Sequence, residues 1–108
     1  MVYRPGAFEQ LLLLALLRLG GDTYGVPIRD DIEARTRRTV SPGAIYTALD
    51  RLERRGLVRS RLGEATALRG GKRKRCYRLT AKGSEAIVQA HADLIEMARG
   101  LKPKLGTS

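Results

Sequence analysis

The stretch "VSPGAIYTALDRLERRGLV", Val40 to Val58, carries both ends of a helix and its inward face. No other part of the chain leaves so few conformations open. Ser41 is a favoured N-cap because its hydroxyl accepts an otherwise unpaired N–H of the first turn, and Pro42 suits the first helical position, where no backbone donor is needed. Ile45, Ala48, Leu49 and Leu52 recur at spacings of three and four, which places them on one buried face. Gly56 supplies the left-handed residue that closes such a helix. The other face offers Ser41, Gly43, Tyr46, Thr47, Asp50, Arg51 and Arg54. What that polar and cationic face is for depends on the elements around it.

Ala7 to Leu19 reads as a first helix. It is apolar all round from Leu11 to Leu17, so it is expected to be buried on more than one side, by its own domain or by a second subunit. Gly20-Gly21 stops it. A second helix is expected from a cap at Asp22 or Thr23 to about Arg35, with Pro27 in its first turn and Ile28 and Ile32 facing inward. The connector "RTRRTV" is basic, and a short strand is expected at Thr39-Val40. After helix 41–55, Leu57–Leu62 and Cys76–Thr80 have strand character. The intervening "GEATALRGGKRKR" is too long for a tight turn, and loops of that length are usually functional or disordered. A last helix is expected from Ala81 to Leu101, capped by Thr80, and "LKPKLGTS" reads as a frayed tail.

Three helices, a hairpin and a final helix are the element order of a winged helix-turn-helix. The expected fold is therefore mainly α with a small β-hairpin. Residues 1–80 form the winged unit, residues 81–101 a C-terminal dimerisation helix and residues 102–108 a flexible tail.

The 108 residues carry 21 Lys and Arg against 11 Asp and Glu, a net charge of +10 that favours nucleic acid or an anionic surface as partner. The excess is concentrated: Arg51 to Arg78 holds 11 cations against Glu53 and Glu64, a local +9. A solvated basic face is the plain alternative. The longest apolar run, Leu11 to Leu17, is far short of the roughly 20 residues that span a bilayer. With no cleavable signal either, a soluble, cytoplasmic protein without membrane contact is expected. Cys76 and His91 are the only residues of their kinds, which excludes an intrachain disulfide and disfavours a zinc site. No cofactor is indicated. No nucleophile, base and orienting group converge in a readable motif, so the chain is not read as an enzyme.

In a helix-turn-helix the second helix of the pair enters the major groove. Helix 41–55 would be that reader. Tyr46 and Thr47 can bond base edges or phosphate, and Arg51 can neutralise phosphate. Gly43 permits close approach, and the helix N-terminus beside Ser41 favours an anion. Tyr46 has a structural alternative, as a half-buried aromatic packed on the hairpin. The wing, residues 63–75, carries Arg69, Lys72, Arg73, Lys74 and Arg75 around Gly70-Gly71, suited to phosphates or a narrow minor groove.

"TYGVPI", "VSPGAIYTALDRLERRGLV" and "RGGKRKRCYRLTAKG", in that order, closely resemble the PadR family of transcriptional regulators, over roughly Ala7 to Gly83. The resemblance implies a winged helix, a homodimer, binding to a double-stranded DNA operator and usually repression. It places Gly43 and Tyr46 in the family's recognition-helix motif, Gly70 to Tyr77 in its wing motif, and Tyr24-Gly25 at its second-helix opening. There Tyr24 either nears the DNA backbone or packs within the fold. The single last helix resembles the short-tailed branch of the family.

Ile87, Leu94 and Leu101 recur every seven residues, with His91 and Ala98 between, as a short seam for a partner helix. So short a seam needs more area, and Leu12 and Leu16 of the first helix are expected to add it across the two-fold axis. The alternative is a last helix folded back on its own core. His91 is read as an interface residue rather than a pH sensor, and Cys76 as a small core hydrophobe rather than an oxidant sensor. The resembling family includes members that hold flat ligands between aromatic rings at the dimer centre. This chain has no Trp and one Phe, Phe8, so any small-molecule effector binds elsewhere or does not exist. Two rivals stay open: a sequence-neutral architectural DNA-binding protein and a winged-helix protein-interaction module. RNA binding is weaker, since few aromatics are present for stacking.

Overall fold

The computed structural model describes residues 3–63 and 74–106. Helix α1, Ala7–Leu19, runs through the centre of the fold and packs against the three other long helices and the second strand. Its Leu12, Leu13, Ala15 and Leu16 are buried. Gly20 and Gly21 follow with φ of 67° and 55°, a left-handed pair that few other residues adopt without strain. Helix α2, Gly25–Thr36, buries Ile28 and Ile32. It starts later than Asp22 or Thr23 would have it. Thr23 is drawn instead into a two-way backbone bridge with Tyr77, Thr23 N to Tyr77 O at 2.9 Å and Tyr77 N to Thr23 O at 2.6 Å. That bridge, rather than Thr39-Val40, adds to the hairpin. Val40 instead donates its N–H to Glu33 at 2.7 Å.

Helix α3, Pro42–Arg54, has the predicted start: Ser41 Oγ accepts the Ala44 N–H at 3.1 Å. Its end is a Schellman motif. Gly56, at φ 78°, donates to Glu53 O at 2.9 Å, and Leu57 donates to Leu52 O at 3.0 Å. Ile45, Ala48, Leu49 and Leu52 are buried, as the stripe predicts. Strands β1, Val58–Leu62, and β2, Arg75–Leu79, pair antiparallel in a register from Val58↔Leu79 to Leu62↔Arg75.

Helix α4, Ala81–Ala98, begins at Thr80, whose hydroxyl accepts the Gly83 N–H at 3.0 Å and donates to Gly56 O at 2.7 Å. One side chain therefore ties the end of α3 to the start of α4. The helix ends three residues short of Leu101, with Gly100 at φ 79°. Lys102–Leu105 then form a single further turn, α5, within the segment read as tail.

The core gathers Leu12, Leu13, Leu16, Ile28, Ile45, Leu49, Leu52, Leu57, Val58 and Ile87, all essentially inaccessible. Each contributes about 1.5–3 kcal/mol of burial relative to exposure. This corrects the expected dimer seam. Leu12, Leu16 and Ile87 are spent on the chain's own core and keep no surface for a partner. Among the described residues, no helix is long and apolar enough to cross a membrane.

Candidate nucleic-acid interface

One side of the fold is formed by the exposed face of α3 and the base of the hairpin. Ser41, Gly43 and Thr47 are exposed, and a Cβ on Gly43 would meet nothing within 4 Å, so the helix start is open to close approach. Tyr46 is 44% exposed, yet its ring is not free. It lies against Gly25, the first residue of α2, where a Cβ would fall 2.6 Å from Tyr46 Cζ. Only glycine admits the ring there. The phenol end of the ring, its hydroxyl nearest of all, is thus seated on α2 rather than on the hairpin that the packing alternative named, while the side chain as a whole stays half-exposed.

Tyr46, Thr47, Asp50, Arg51, Glu53, Arg54, Arg75 and Tyr77 line a shallow polar recess between α3 and β2. Arg54 is ion-paired with Asp50 one turn before it. Glu53 accepts both the N–H and the hydroxyl of Ser60, at 3.0 and 2.8 Å, and Arg75 donates to the same hydroxyl at 3.0 Å. These bonds fix β1 and β2 to α3. Tyr77 is buried beneath, and burial pushes its phenol above the ordinary tyrosine value.

Of the wing cations, Lys74 and Arg75 lie at this edge, whereas Arg69, Lys72 and Arg73 fall outside the described residues. Lys74 Nζ sits 3.1 Å from the centroid of the Tyr24 ring, a cation–π contact that ties the wing base to the entry of α2. Tyr24 therefore packs within the fold, as one of its two readings had it. Arg61 is paired with Asp22 at 2.6 Å. Arg59 and Arg78 stand directly opposite one another across the hairpin, both exposed. Like charges so placed are destabilising without an anion nearby.

Arg51, whose side chain stays 51% exposed at this recess, also has a partner inside the fold. Its Nε donates to Glu9 Oε2 at 2.7 Å, and Glu9, on α1, is 6% exposed. The other carboxylate oxygen of Glu9 accepts Tyr3 Oη at 2.5 Å and the Gly6 N–H at 2.8 Å. Burial pushes the Glu9 carboxyl up, but the bonds from Tyr3, Gly6 and Arg51, with the Arg51 charge, outweigh it and hold the group below its ordinary value. The Tyr3 phenol, donating to that carboxylate, is raised. Arg55 covers the Tyr3 ring at 4.5 Å. Sequence reading missed Tyr3 and Glu9. The available signal was a carboxylate standing next to the apolar run of a helix read as buried all round.

The chain matches the transcriptional regulator PadR-like family over residues 13–89, which takes in α1 to the middle of α4. It belongs to the PadR-like family. That is a family of transcription regulators that bind DNA, not of enzymes. A transcriptional regulator from Clostridium thermocellum is 26% identical and superposes with a TM-score of 0.70, the match covering 88% of this chain and 89% of that one. A PadR family regulator from Clostridium difficile is 24% identical, with a TM-score of 0.70 and coverage of 93% and 98%. A PadR-like regulator from Bacillus cereus, 22% identical with a TM-score of 0.73, shares the fold over 95% of both chains. Curated proteins yield no match. With the family established, the polar face of α3 and the hairpin edge of this PadR-like chain become the candidate DNA surface, in a winged helix-turn-helix with five helices and one hairpin among the described residues.

Proposed function

We propose that this PadR-like chain is a dimeric, sequence-specific repressor that lays α3 in the major groove of a pseudo-palindromic operator and its wing along the neighbouring phosphates. Tyr46 carries the reading. Its ring is held by Gly25 in one pose, beside Thr47, on a helix face whose opposite side is locked in the core. A preset donor and acceptor of this kind discriminates base edges, whereas a surface that only attracts DNA has no use for one. Ser41 and Gly43 bring the helix start to the backbone, and Lys74 and Arg75, with Arg69, Lys72 and Arg73, supply phosphate neutralisation. The Arg59–Arg78 pair, which has no carboxylate partner among the described residues, supports an anionic partner.

Dimerisation is supported by α4. Beyond Ile87 none of its residues is buried, and Val88, Leu94, Ile95 and Met97 are 52–78% exposed. So much apolar surface on one helix marks a protein interface. His91, Leu94, Ala98 and Leu101 remain available to the seam, while Ile87 does not.

The deciding experiment selects bound fragments from the source genome, then titrates the recovered site and a random duplex at one stated salt concentration. Preference for the recovered site supports a sequence-specific regulator. Equal affinity identifies an architectural DNA-binding protein, and no affinity for either DNA leaves the winged helix as a protein-interaction module.

A further inference from the structure

We infer that Arg51 is a positioning residue and not a phosphate contact: with Glu9 and Tyr3 it forms a latch that sets the pose of α3 against α1, an inference that rests on the reading role proposed for α3. The carboxylate of Glu9 is fully subscribed. Tyr3 and Gly6 hold one oxygen and Arg51 Nε the other. Glu9 sits in the first turn of α1, where the helix dipole favours a negative charge, and α1 is the element around which the core is assembled. Its partner lies 42 residues away on the reader helix.

Half of the Arg51 side chain is exposed, yet turning its guanidinium fully onto a phosphate would break the Nε bond and leave a buried carboxylate without its counter-charge, a strongly unfavourable state. Four residues on, at the C-cap of α3, Arg55 closes over the Tyr3 ring. Arg51 on α3 and Arg55 at its C-cap therefore hold the first turn of α1 and the segment that precedes it. On the groove side the helix keeps Tyr46 and Thr47, and Arg54 is paired with Asp50. The Glu53–Ser60 bonds hold α3 to the hairpin, but toward α1 its apolar stripe alone would leave some freedom to roll, because apolar contacts are not directional. A charged hydrogen bond with fixed geometry removes that freedom. The roll of α3 decides which base edges Tyr46 and Thr47 meet.

Affinities of wild type, Arg51→Met, Glu9→Gln, the double variant and Tyr3→Phe are measured on the selected operator and on a random duplex across a salt series, with melting curves recorded for each. The latch predicts that Arg51→Met and Glu9→Gln each lower the operator-to-random ratio by about tenfold, the worth of one base contact. The double variant is then no worse than either single one, because both break the same link. The slope of log affinity against log salt stays at the wild-type value. Tyr3→Phe, which changes no charge and no groove-facing group, moves the ratio in the same direction by less.

A slope that falls by about 0.9 in Arg51→Met, with Glu9→Gln unaffected, assigns Arg51 to a phosphate and overturns the inference while the reading of α3 stands. Should the Glu9 or Arg51 variants not fold, an unchanged ratio in Tyr3→Phe overturns it by itself. A wild-type chain with no operator preference overturns the reading of α3 and the latch together.

Discussion

Tyr46 rests on the bare Cα of Gly25, so the first residue of α2 sets the pose of an aromatic on α3. A methyl group at position 25 would fall 2.6 Å from Tyr46 Cζ and 3.0 Å from Cε1. The ring is the end of a half-exposed side chain and has solvent to swing into. Gly25→Ala should therefore cost little stability, within about 1 kcal/mol, since alanine also favours the helix. It should nonetheless reduce the preference for operator over random DNA, as Tyr46→Ala should. Paired urea melts and DNA titrations check it. Unchanged discrimination would show that the pose of Tyr46 is immaterial.

Gly83 gives the opposite balance. A Cβ there would press on the Leu57 carbonyl, 2.9 Å from its carbon, and on Leu79 Cδ1 at 2.9 Å. Backbone cannot swing aside, and the same carbonyl already accepts the Thr80 N–H at 3.1 Å. Gly83→Ala should destabilise the fold by about 1–3 kcal/mol, as overpacking does, and lower Tm by several degrees.

Glu9 makes stability depend on acid. Its folded carboxyl is held below the ordinary value. A depressed carboxylate contributes stability that is present above the unfolded pKa, about 4.3, and is lost as pH falls through the folded value. Wild type should melt above Glu9→Gln at pH 7, and the difference should shrink below about pH 4. Melting curves at pH 7 and pH 3 measure it, and a gap that is constant with pH excludes the carboxylate charge as its source.

Neutralising Lys72, Arg73, Lys74 and Arg75 together should weaken operator and random duplex alike. It should also flatten the salt dependence by about 0.9 for every phosphate that the wing no longer neutralises. Because Lys74 also covers Tyr24, Lys74→Met alone should add a small loss of stability that its neighbours' variants do not show. An unchanged salt slope in the fourfold variant would take the wing off the phosphates.

Leu94 is 59% exposed on the uncovered half of α4. Leu94→Asp leaves the chain's own core untouched but buries an unpartnered charge in any interface formed there, which is strongly unfavourable. Sedimentation should show loss of the dimer at micromolar concentration, with operator affinity falling in the same sample. The operator itself should be an inverted repeat with half-site centres roughly 34 Å apart or a small multiple of it. A Leu94→Asp protein that stays dimeric rules out this helix as the joint.

The features legible in the chain were those made by neighbours in it. Ser41, Pro42 and Gly56 bracket α3, and Thr80 caps α4, because caps join residues two or three positions apart and need no knowledge of the rest of the fold. The stripe of Ile45, Ala48, Leu49 and Leu52 shows which side of α3 is buried, and the charge between Arg51 and Arg78 shows what kind of partner the other side suits. Periodicity states that a face is covered but not what covers it. For this reason Leu12, Leu16 and Ile87 could be assigned to a partner until tertiary packing placed them in one core. The same limit hid the bridge of Thr23 to Tyr77, the seat of Tyr46 on Gly25 and the turning of Arg51 toward Glu9. Each joins residues from 21 to 54 positions apart, and a side chain chooses between solvent, DNA and a buried carboxylate only once folding has brought that carboxylate within reach.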